Sequence, residues 1–447
     1  MNTNGPSSKH RADVRKGRRE TLKAMAALGA LLFMDCKGRQ QPMSSGGLSA
    51  ARLGRMHDVM AGYVERAELP GLVTLLSRRG EVHVDAIGTR TVGARESMQR
   101  DTIFRIASMT KPITAAAAMI LVEECKLRLD DPVDRLLPEI ANRRVLRQLD
   151  GPLDDTVPAK RPITLRDLMT FRMGFGLIWG PQDARPIQKA ANELELGAFG
   201  PPRPQGPPAP DEWMRRFGTL PLMHQPGEVW MYNTGFEVLG VLIARASGQP
   251  LETFFRERIF DPLGMKDTGF SVPAVKLNRL ATSYVVNPKT GALDLYDAVE
   301  GGQWSRPPSF PSGGAGLVST VDDYLAFGQM MLNRGKLGSA RILSPLSVAT
   351  MTTDQLTLEQ KARSDSSLAP GFWDAHGWGF GVSIVTRRDN LSAVPGRFGW
   401  DGGLGTSWSS DPSEEMVAIL MTQRSAYPQT SGVYLDYWTT AYESIDD

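Results

Sequence analysis

The stretch Ser108–Lys126 most constrains the fold. Rich in Ala, Met, Ile and Leu, it is the most apolar helix-length run of the mature region, long enough for a buried helix. Pro112 near its start is tolerable, because first-turn N–H groups lack intrahelical partners. The chain's 447 residues allow two or three domains, or one large catalytic unit, at ~150 residues per domain. Hydrophobic residues at 41% and charged residues at 22% fit a globular protein and argue against general disorder. Two cysteines, Cys36 and Cys125, exclude a disulfide scaffold and any Cys-rich zinc module.

Charge is uneven. Residues 1–40 hold nine basic and three acidic groups, so a total of +2 leaves about −4 on the rest. A mildly acidic body has no electrostatic reason to bind nucleic acid. The basic stretch ends in Arg18-Arg19-Glu20-Thr21-Leu22-Lys23, and an apolar run from Ala24 to Met34 follows. That run is too short for the ~20 residues of a spanning helix, so no stable membrane span is expected. The order of charged, apolar and then small residues (Ser44 to Gly47) reads as an export signal. The paired arginines resemble a twin-arginine address, which implies a periplasmic protein. Thr21 and Gly17 depart from that pattern, and a disordered basic tail on a cytoplasmic protein is the alternative. Asp35 before Cys36 speaks against a lipoprotein site.

Past this segment (residues 1–45), residues 46–447 read as one catalytic domain without internal repeats. Ala50–Ala67 is apolar at helical spacing, and Gly71–Arg78 and Glu81–Ile87 read as strands joined at Arg79-Gly80. Helices separated by Pro- and Gly-rich loops follow, among them the proline stretch 200–210, either a linker or a wall over a cleft. Beyond Gly313 come a helix (Val321–Asn333), strands at Gly379–Thr386, Thr406–Ser410 and Met416–Thr422, and a terminal helix. Strands at both ends around a helical middle suggest an α/β lobe (about 46–125 and 305–447) with an inserted helical lobe (about 126–304).

Ser108-Met109-Thr110-Lys111 carries chemistry. Three residues apart on a helix, Ser and Lys share one face, with about 5–6 Å between Cβ atoms. Serine is a weak nucleophile and needs a base; lysine serves only where burial or positive potential lowers its pKa. The start of an apolar helix supplies both conditions, since its dipole disfavours the ammonium form. A lone Ser-x-x-Lys also suits a solvated helix turn. Two further segments add weight: Tyr232-Asn233-Thr234 before the apolar run Phe236–Ala246, and Trp400-Asp401-Gly402-Gly403 before the strand at Thr406.

In this order the three segments resemble the serine β-lactamase and penicillin-binding protein superfamily, whose pattern is Ser-x-x-Lys, Tyr-x-Asn, Lys-Thr-Gly. They are most similar to its class C-like branch, the family VIII carboxylesterases. Leu127–Val133, Ile163–Thr170, Leu263–Phe270, Gly314–Thr320 and Gly399–Trp408 also look like that branch. The resemblance implies an α+β fold, with a central antiparallel sheet flanked by helices and an inserted, mostly helical lobe. It implies Ser108 as nucleophile, Lys111 as base or proton shuttle, and Tyr232 as relay to the leaving alcohol. Which of Lys111 and Tyr232 is neutral at rest stays open, because the two titrate together. The N–H groups of Ser108 and Gly403 would form the oxyanion hole. Trp400, Asp401, Gly402 and Asn233 are the expected substrate-binding residues, although Asp401 also suits a strand edge.

Two departures bear on substrate class. Trp400 stands where penicillin-recognising members carry a cation, so neutral esters should be favoured over anionic β-lactams. Asn233 comes one place early, and Met169-Thr-Phe-Arg-Met-Gly174 offers no histidine where the branch has one. The expected activity is hydrolysis of short-chain, small-molecule esters, with weak β-lactam cleavage as a side activity. A β-lactamase or D-alanyl-D-alanine carboxypeptidase is the same-fold alternative, and a non-catalytic binder the remote one. His10, His57, His83, His224 and His376 show no metal-ligand spacing, so neither metal nor cofactor is expected, and Gly-x-Ser-x-Gly is absent. Cys125 reads as a small core residue, and Trp373, Trp378 and Trp408 as core or cleft lining.

Overall fold

A computed structural model divides the chain into two compact units, Met1–Ser44 and Ser45–Asp447. It describes residues 1–2, 46–178, 184–197, 201–364, 371–426 and 431–447. The paired arginines and Cys36 lie outside the described residues.

Strands β1 (Gly71–Arg78) and β2 (Glu81–Gly88) form an antiparallel hairpin. Arg79 and Gly80 close it with φ of +47° and +85°, the pair of positive values that a tight two-residue hairpin requires. The last third of the chain supplies β3 (His376–Trp378), β4 (Ser383–Val385), β5 (Phe398–Gly402), β6 (Thr406–Asp411) and β7 (Met416–Thr422). Together they make a seven-stranded antiparallel sheet in the order β3-β4-β5-β6-β7-β1-β2. The N-terminal hairpin and the C-terminal strands of the unit thus meet at the β7–β1 pair.

Both faces of this sheet are covered, by α1 (Ala50–Glu65) and α5 (Val433–Glu443) on one side and by α4 (Val321–Leu332) and α2 (Thr110–Glu123) on the other, with α3 (Thr234–Ser247) packed against α2. Strand alternation divides the core. Leu72, Leu76, Met416, Ala418 and Leu420 pack with Met56 and Met60 of α1 and Tyr437 of α5. Val73, Leu75, Val417, Ile419 and Met421 face the larger core that holds α2, α3 and α4. In α2 every residue from Thr110 to Leu121 is buried, as its unbroken apolar composition demands.

Three expectations change. Of the expected strand Gly379–Thr386 only Ser383–Val385 is strand, as β4; residues 379–382 form the tight turn through which β3 and β4 pair, with Gly381 at φ +73°. Cys125 is exposed: α2 ends at Glu123, and Cys125 takes φ +57° in the turn that follows. The middle region carries two short ribbons beside its helices, Arg144–Leu146 with Thr156–Pro158 and Ser283–Val286 with Leu293–Asp297. The proline stretch from Pro201 onward is docked. The Tyr296 hydroxyl donates to the Pro202 carbonyl at 2.6 Å, and Gln205 Nε2 to the Gln303 carbonyl at 2.8 Å.

The short strand Phe104–Arg105 leads into Ser108 and is fixed by a buried ion pair, Arg105 Nε to Asp297 Oδ2 at 2.7 Å. Both side chains are almost inaccessible, and Arg105 also lies over the Trp304 ring. Removing one partner leaves an uncompensated buried charge. Asp297→Ala is therefore expected to lower stability by about 3–5 kcal/mol in chemical denaturation. A loss under ~1 kcal/mol would show the pair to be dispensable.

Candidate active site

Between Thr102 and Leu121 one residue, Ser108, is more than marginally exposed. It sits in a single 3-10 turn, Ala107–Met109, that runs directly into α2. Ala107 holds φ +42°, a left-handed conformation that costs a non-glycine residue roughly 1–2 kcal/mol. The turn is pinned from two sides. Tyr324 of α4 donates its hydroxyl to the Met109 carbonyl at 2.7 Å, and the Ile106 amide donates to the Leu317 carbonyl at 3.0 Å.

One helical turn on, Lys111 is fully buried. Its Nζ lies within hydrogen-bond reach of three oxygens: Ser108 Oγ at 2.9 Å, Asn233 Oδ1 at 3.0 Å and the Gly314 carbonyl at 2.7 Å. Burial disfavours the ammonium form and brings its pKa down to about 7, while the Glu237 carboxyl pulls the other way. An amine that releases its proton near neutrality, in contact with a solvent-reaching hydroxyl, meets the chemical requirements of a nucleophile–base pair.

Asn233 reaches Lys111 by an unusual route. Its φ of +83° and ψ of −70°, with the Thr234 amide 3.3 Å from the Tyr232 carbonyl, define a three-residue γ-turn of the strained, φ-positive kind. That turn swings Asn233 onto the lysine although it comes one place early in sequence. It also separates Tyr232 from α3. Lys111 Nζ lies 4.5 Å from the centroid of the Tyr232 ring. Phe171, which stands where the branch has histidine, packs edge-on against that ring at 5.0 Å and holds φ +56° itself.

Trp400 of β5 donates its indole N–H to the Tyr232 hydroxyl at 2.7 Å. Indole is a donor only, so the phenol oxygen accepts here and its own proton is directed elsewhere. Trp378 meets Trp400 edge-on at 4.6 Å, and Trp230 stacks near Tyr232 at 5.6 Å. Trp378 and Trp408 are fully buried, whereas Trp373 is half-buried.

Ser108, Lys111, Tyr232, Asn233 and Trp400 are thus brought together. Gly402 serves packing: a Cβ there would collide with the Ile106 carbonyl and the Thr406 hydroxyl, so only glycine lets β5 lie against the Ser108 turn. Around Gly403 a Cβ would meet open space. The Gly403 carbonyl is held by the Ala426 amide at 3.0 Å and the Ser425 hydroxyl at 3.1 Å. Asp401 is not brought to the site. Strand alternation turns it to the opposite face, where it accepts from Ser407 at 2.5 Å, and Ser407 in turn accepts from Trp438 of α5. Its expected substrate contact is replaced by this bond to the neighbouring strand β6.

Glu237 and Gly314 were not singled out as site residues from sequence. Glu237 is the one carboxylate of α3 and is buried near the start of an otherwise apolar helix, a signal that was available. Among the described residues no group of three His, Cys, Asp or Glu side chains is placed to hold a metal ion. No described helix is long and apolar enough to cross a membrane.

With this geometry in hand, residues 56–436 match the family model described as Beta-lactamase. Protein Rv1367c of Mycobacterium tuberculosis is 42% identical over 79% of this chain and 86% of its own length. Esterase EstB of Burkholderia gladioli is 30% identical over 86% of this chain and 94% of its own. Among solved structures, the LovD6 mutant of simvastatin synthase from Aspergillus terreus superposes with a TM-score of 0.71. It shares 25% identity and covers 90% of this chain and 99% of that one.

Burial of Lys111 has a measurable cost. The unfolded chain keeps this proton up to the ordinary 10.5, whereas the folded chain releases it at about 7. Between those values the unfolded state binds more protons, so this residue's contribution to stability rises with pH. Lys111→Met, similar in volume and apolar, is expected to raise stability most at pH 7 and below, with the gain shrinking toward pH 10. Urea unfolding of both proteins at pH 6.5 and 9.5 checks this; a gain equal at both pH values would contradict it.

Proposed function

The chain belongs to the Beta-lactamase family and is a serine hydrolase of that fold, and from this premise we propose that it is a carboxylesterase. Its substrates are neutral, short-chain carboxylic esters, and it works through an acyl-enzyme on Ser108. One observation carries the reading: the hydroxyl that reaches solvent at the mouth of α2 lies 2.9 Å from a buried amine whose proton leaves near neutrality. The likeness to esterase EstB along almost its whole length supports the ester class.

The cycle balances on these residues. Ser108 Oγ attacks the ester carbonyl carbon while its proton passes to neutral Lys111. The resulting oxyanion is received by backbone N–H groups of Ser108 and Gly403. The first lies in a turn where N–H groups lack intrahelical partners. The second points away from the Gly402 carbonyl, which already accepts from Gly405. Collapse breaks the C–O bond, and the alcohol leaves with a proton delivered through Tyr232. Water then attacks the acyl-enzyme, giving its proton back along the same path and restoring the Ser108 hydroxyl.

Trp400 sets the preference for neutral substrates. Its N–H is committed to Tyr232, so it presents an aromatic face rather than a charge to the acyl or alcohol group. The segment around Arg18-Arg19 fits export to the periplasm as the setting for this activity.

A panel of p-nitrophenyl esters run beside nitrocefin and a D-Ala-D-Ala peptide tests the reading. Rapid hydrolysis of acetyl and butyryl esters is expected, with little or no cleavage of the other two. Ser108→Ala is expected to abolish the activity, and Lys111→Ala and Tyr232→Phe to impair it severely. A wild type inert to every ester removes the proposal, and faster cleavage of nitrocefin or the peptide replaces it. Trp400→Phe keeps the ring and deletes one hydrogen bond worth about 1.5 kcal/mol, so kcat should fall about tenfold. An unchanged kcat would show that the bond to Tyr232 plays no part.

A further inference from the structure

We propose that Glu237 is a positioning residue for the Ser108–Lys111 pair. Through Ser312 and Gly314 its carboxyl holds a backbone carbonyl on the lysine amine, and its charge sets the pH at which that amine becomes the base. The proposal rests on the hydrolytic reading above only in taking Ser108 as the reacting group.

The connection runs atom by atom. The Ala315 amide donates to Ser312 Oγ at 2.9 Å, so the Ser312 proton goes to Glu237 Oε1, at 2.8 Å. The Gly314 backbone amide donates to the same carboxyl. The carbonyl of Gly314, in turn, accepts from Lys111 Nζ at 2.7 Å. A Cβ on Gly314 would stand 2.5 Å from Glu237 Oε1 and 3.4 Å from Asn233 Oδ1. Only glycine lets the loop enter between Glu237 of α3 and Asn233 of the turn before it. Behind it Gly313 is equally confined: its carbonyl accepts from Thr114 at 2.7 Å, and a Cβ would press on the Phe236 carbonyl. The loop therefore sits where Glu237 ties it.

Glu237 is buried, and its second oxygen, Oε2, has no hydrogen-bond partner. The Ser312 hydroxyl meets one oxygen and no donor meets the other, so the carboxyl is poorly solvated and burial raises its pKa. Lys111 and Glu237 are the two buried charges that act on each other here. The other groups around them are accounted for. Tyr232 faces Lys111 from the loop before α3. On the neighbouring helix Leu165–Met169, Asp167 is engaged by Arg161, and Arg166 by Asp130. Glu252 on the next helix is exposed.

The sign follows. A carboxylate near the amine favours the ammonium form, so Glu237 opposes burial and holds the proton on Lys111 to higher pH. Replacing it by the isosteric amide removes that pull. The neutral amine then forms at lower pH.

The test reads Ser108 directly. The rate of covalent labelling by a fluorophosphonate, followed by intact mass from pH 5 to 9, is compared between wild type, Glu237→Gln and Ser312→Ala. The expected result is an acidic limb displaced to lower pH by about one unit in Glu237→Gln. Ser312→Ala, which only weakens the carboxylate form, should move it the same way by less. A limb that stays in place, or moves to higher pH, overturns the inference even if the maximal rate falls, since a purely structural role lowers the rate at every pH. Should Glu237→Gln fail to fold, the Ser312→Ala limb decides by the same criterion. No labelling of wild type at any pH removes the serine-hydrolase reading itself, and this inference with it.

Discussion

The desolvated amine of Lys111 is what the rest of the site is built around. A charge taken out of water must find hydrogen-bond partners or give up its proton, and this one does some of both. Its three acceptors come from three separate parts of the chain: the turn before α2, the turn before α3, and the glycine loop before α4. None of these elements can move without stranding a buried polar group. The same requirement explains the glycines at 313 and 314, which let a backbone carbonyl approach where a side chain would collide. Catalytic geometry and local stability are thus one constraint.

Part of the backbone strain lies at the same place. Ala107, Phe171 and Asn233 all hold positive φ, and each touches or adjoins Ser108 or Tyr232. Such conformations cost of order 1–3 kcal/mol and persist only where surrounding contacts over-determine them. Those contacts are visible. Tyr324 and Leu317 fix the turn at Ala107. The Phe171 carbonyl accepts from the Met231 amide at 2.7 Å, and Leu177 donates to the Tyr232 carbonyl at 2.7 Å. These residues lie where Ser108 Oγ and Asn233 Oδ1 meet the Lys111 amine, at 2.9 and 3.0 Å, with the Tyr232 ring centroid 4.5 Å from it.

Much of this was legible in the chain. The β1–β2 hairpin followed from alternating segments around Arg79-Gly80, and the helix of the nucleophile from composition alone. Ser108 and Lys111 were legible because their spacing is local. What escaped depends on distant partners or on backbone torsion. Cys125 lies two residues past the end of α2, and composition does not mark where a helix stops. Asn233 reads as misplaced until its γ-turn is seen. Glu237 lies on a helix without a recognisable site motif, and its role depends on a loop some 75 residues away. Asp401 sits inside a recognisable motif, yet strand alternation sends it to the other face.

That alternation also bears on substrate charge. Trp400 and Asp401 are neighbours in sequence but face different compartments, so the carboxylate neither assists nor repels a group approaching Ser108. Of the two polar functions, the indole N–H is spent on Tyr232. The Lys111 charge, when present, is enclosed by three oxygens and balanced by Glu237. An anionic substrate approaching Trp400 would give up its hydration for an aromatic face, a loss that an uncharged ester avoids. The proposed preference for neutral esters therefore rests on the same hydrogen bond that Tyr232 accepts from Trp400. Placing a cation at position 400 would change substrate class and proton relay together, because one nitrogen serves both.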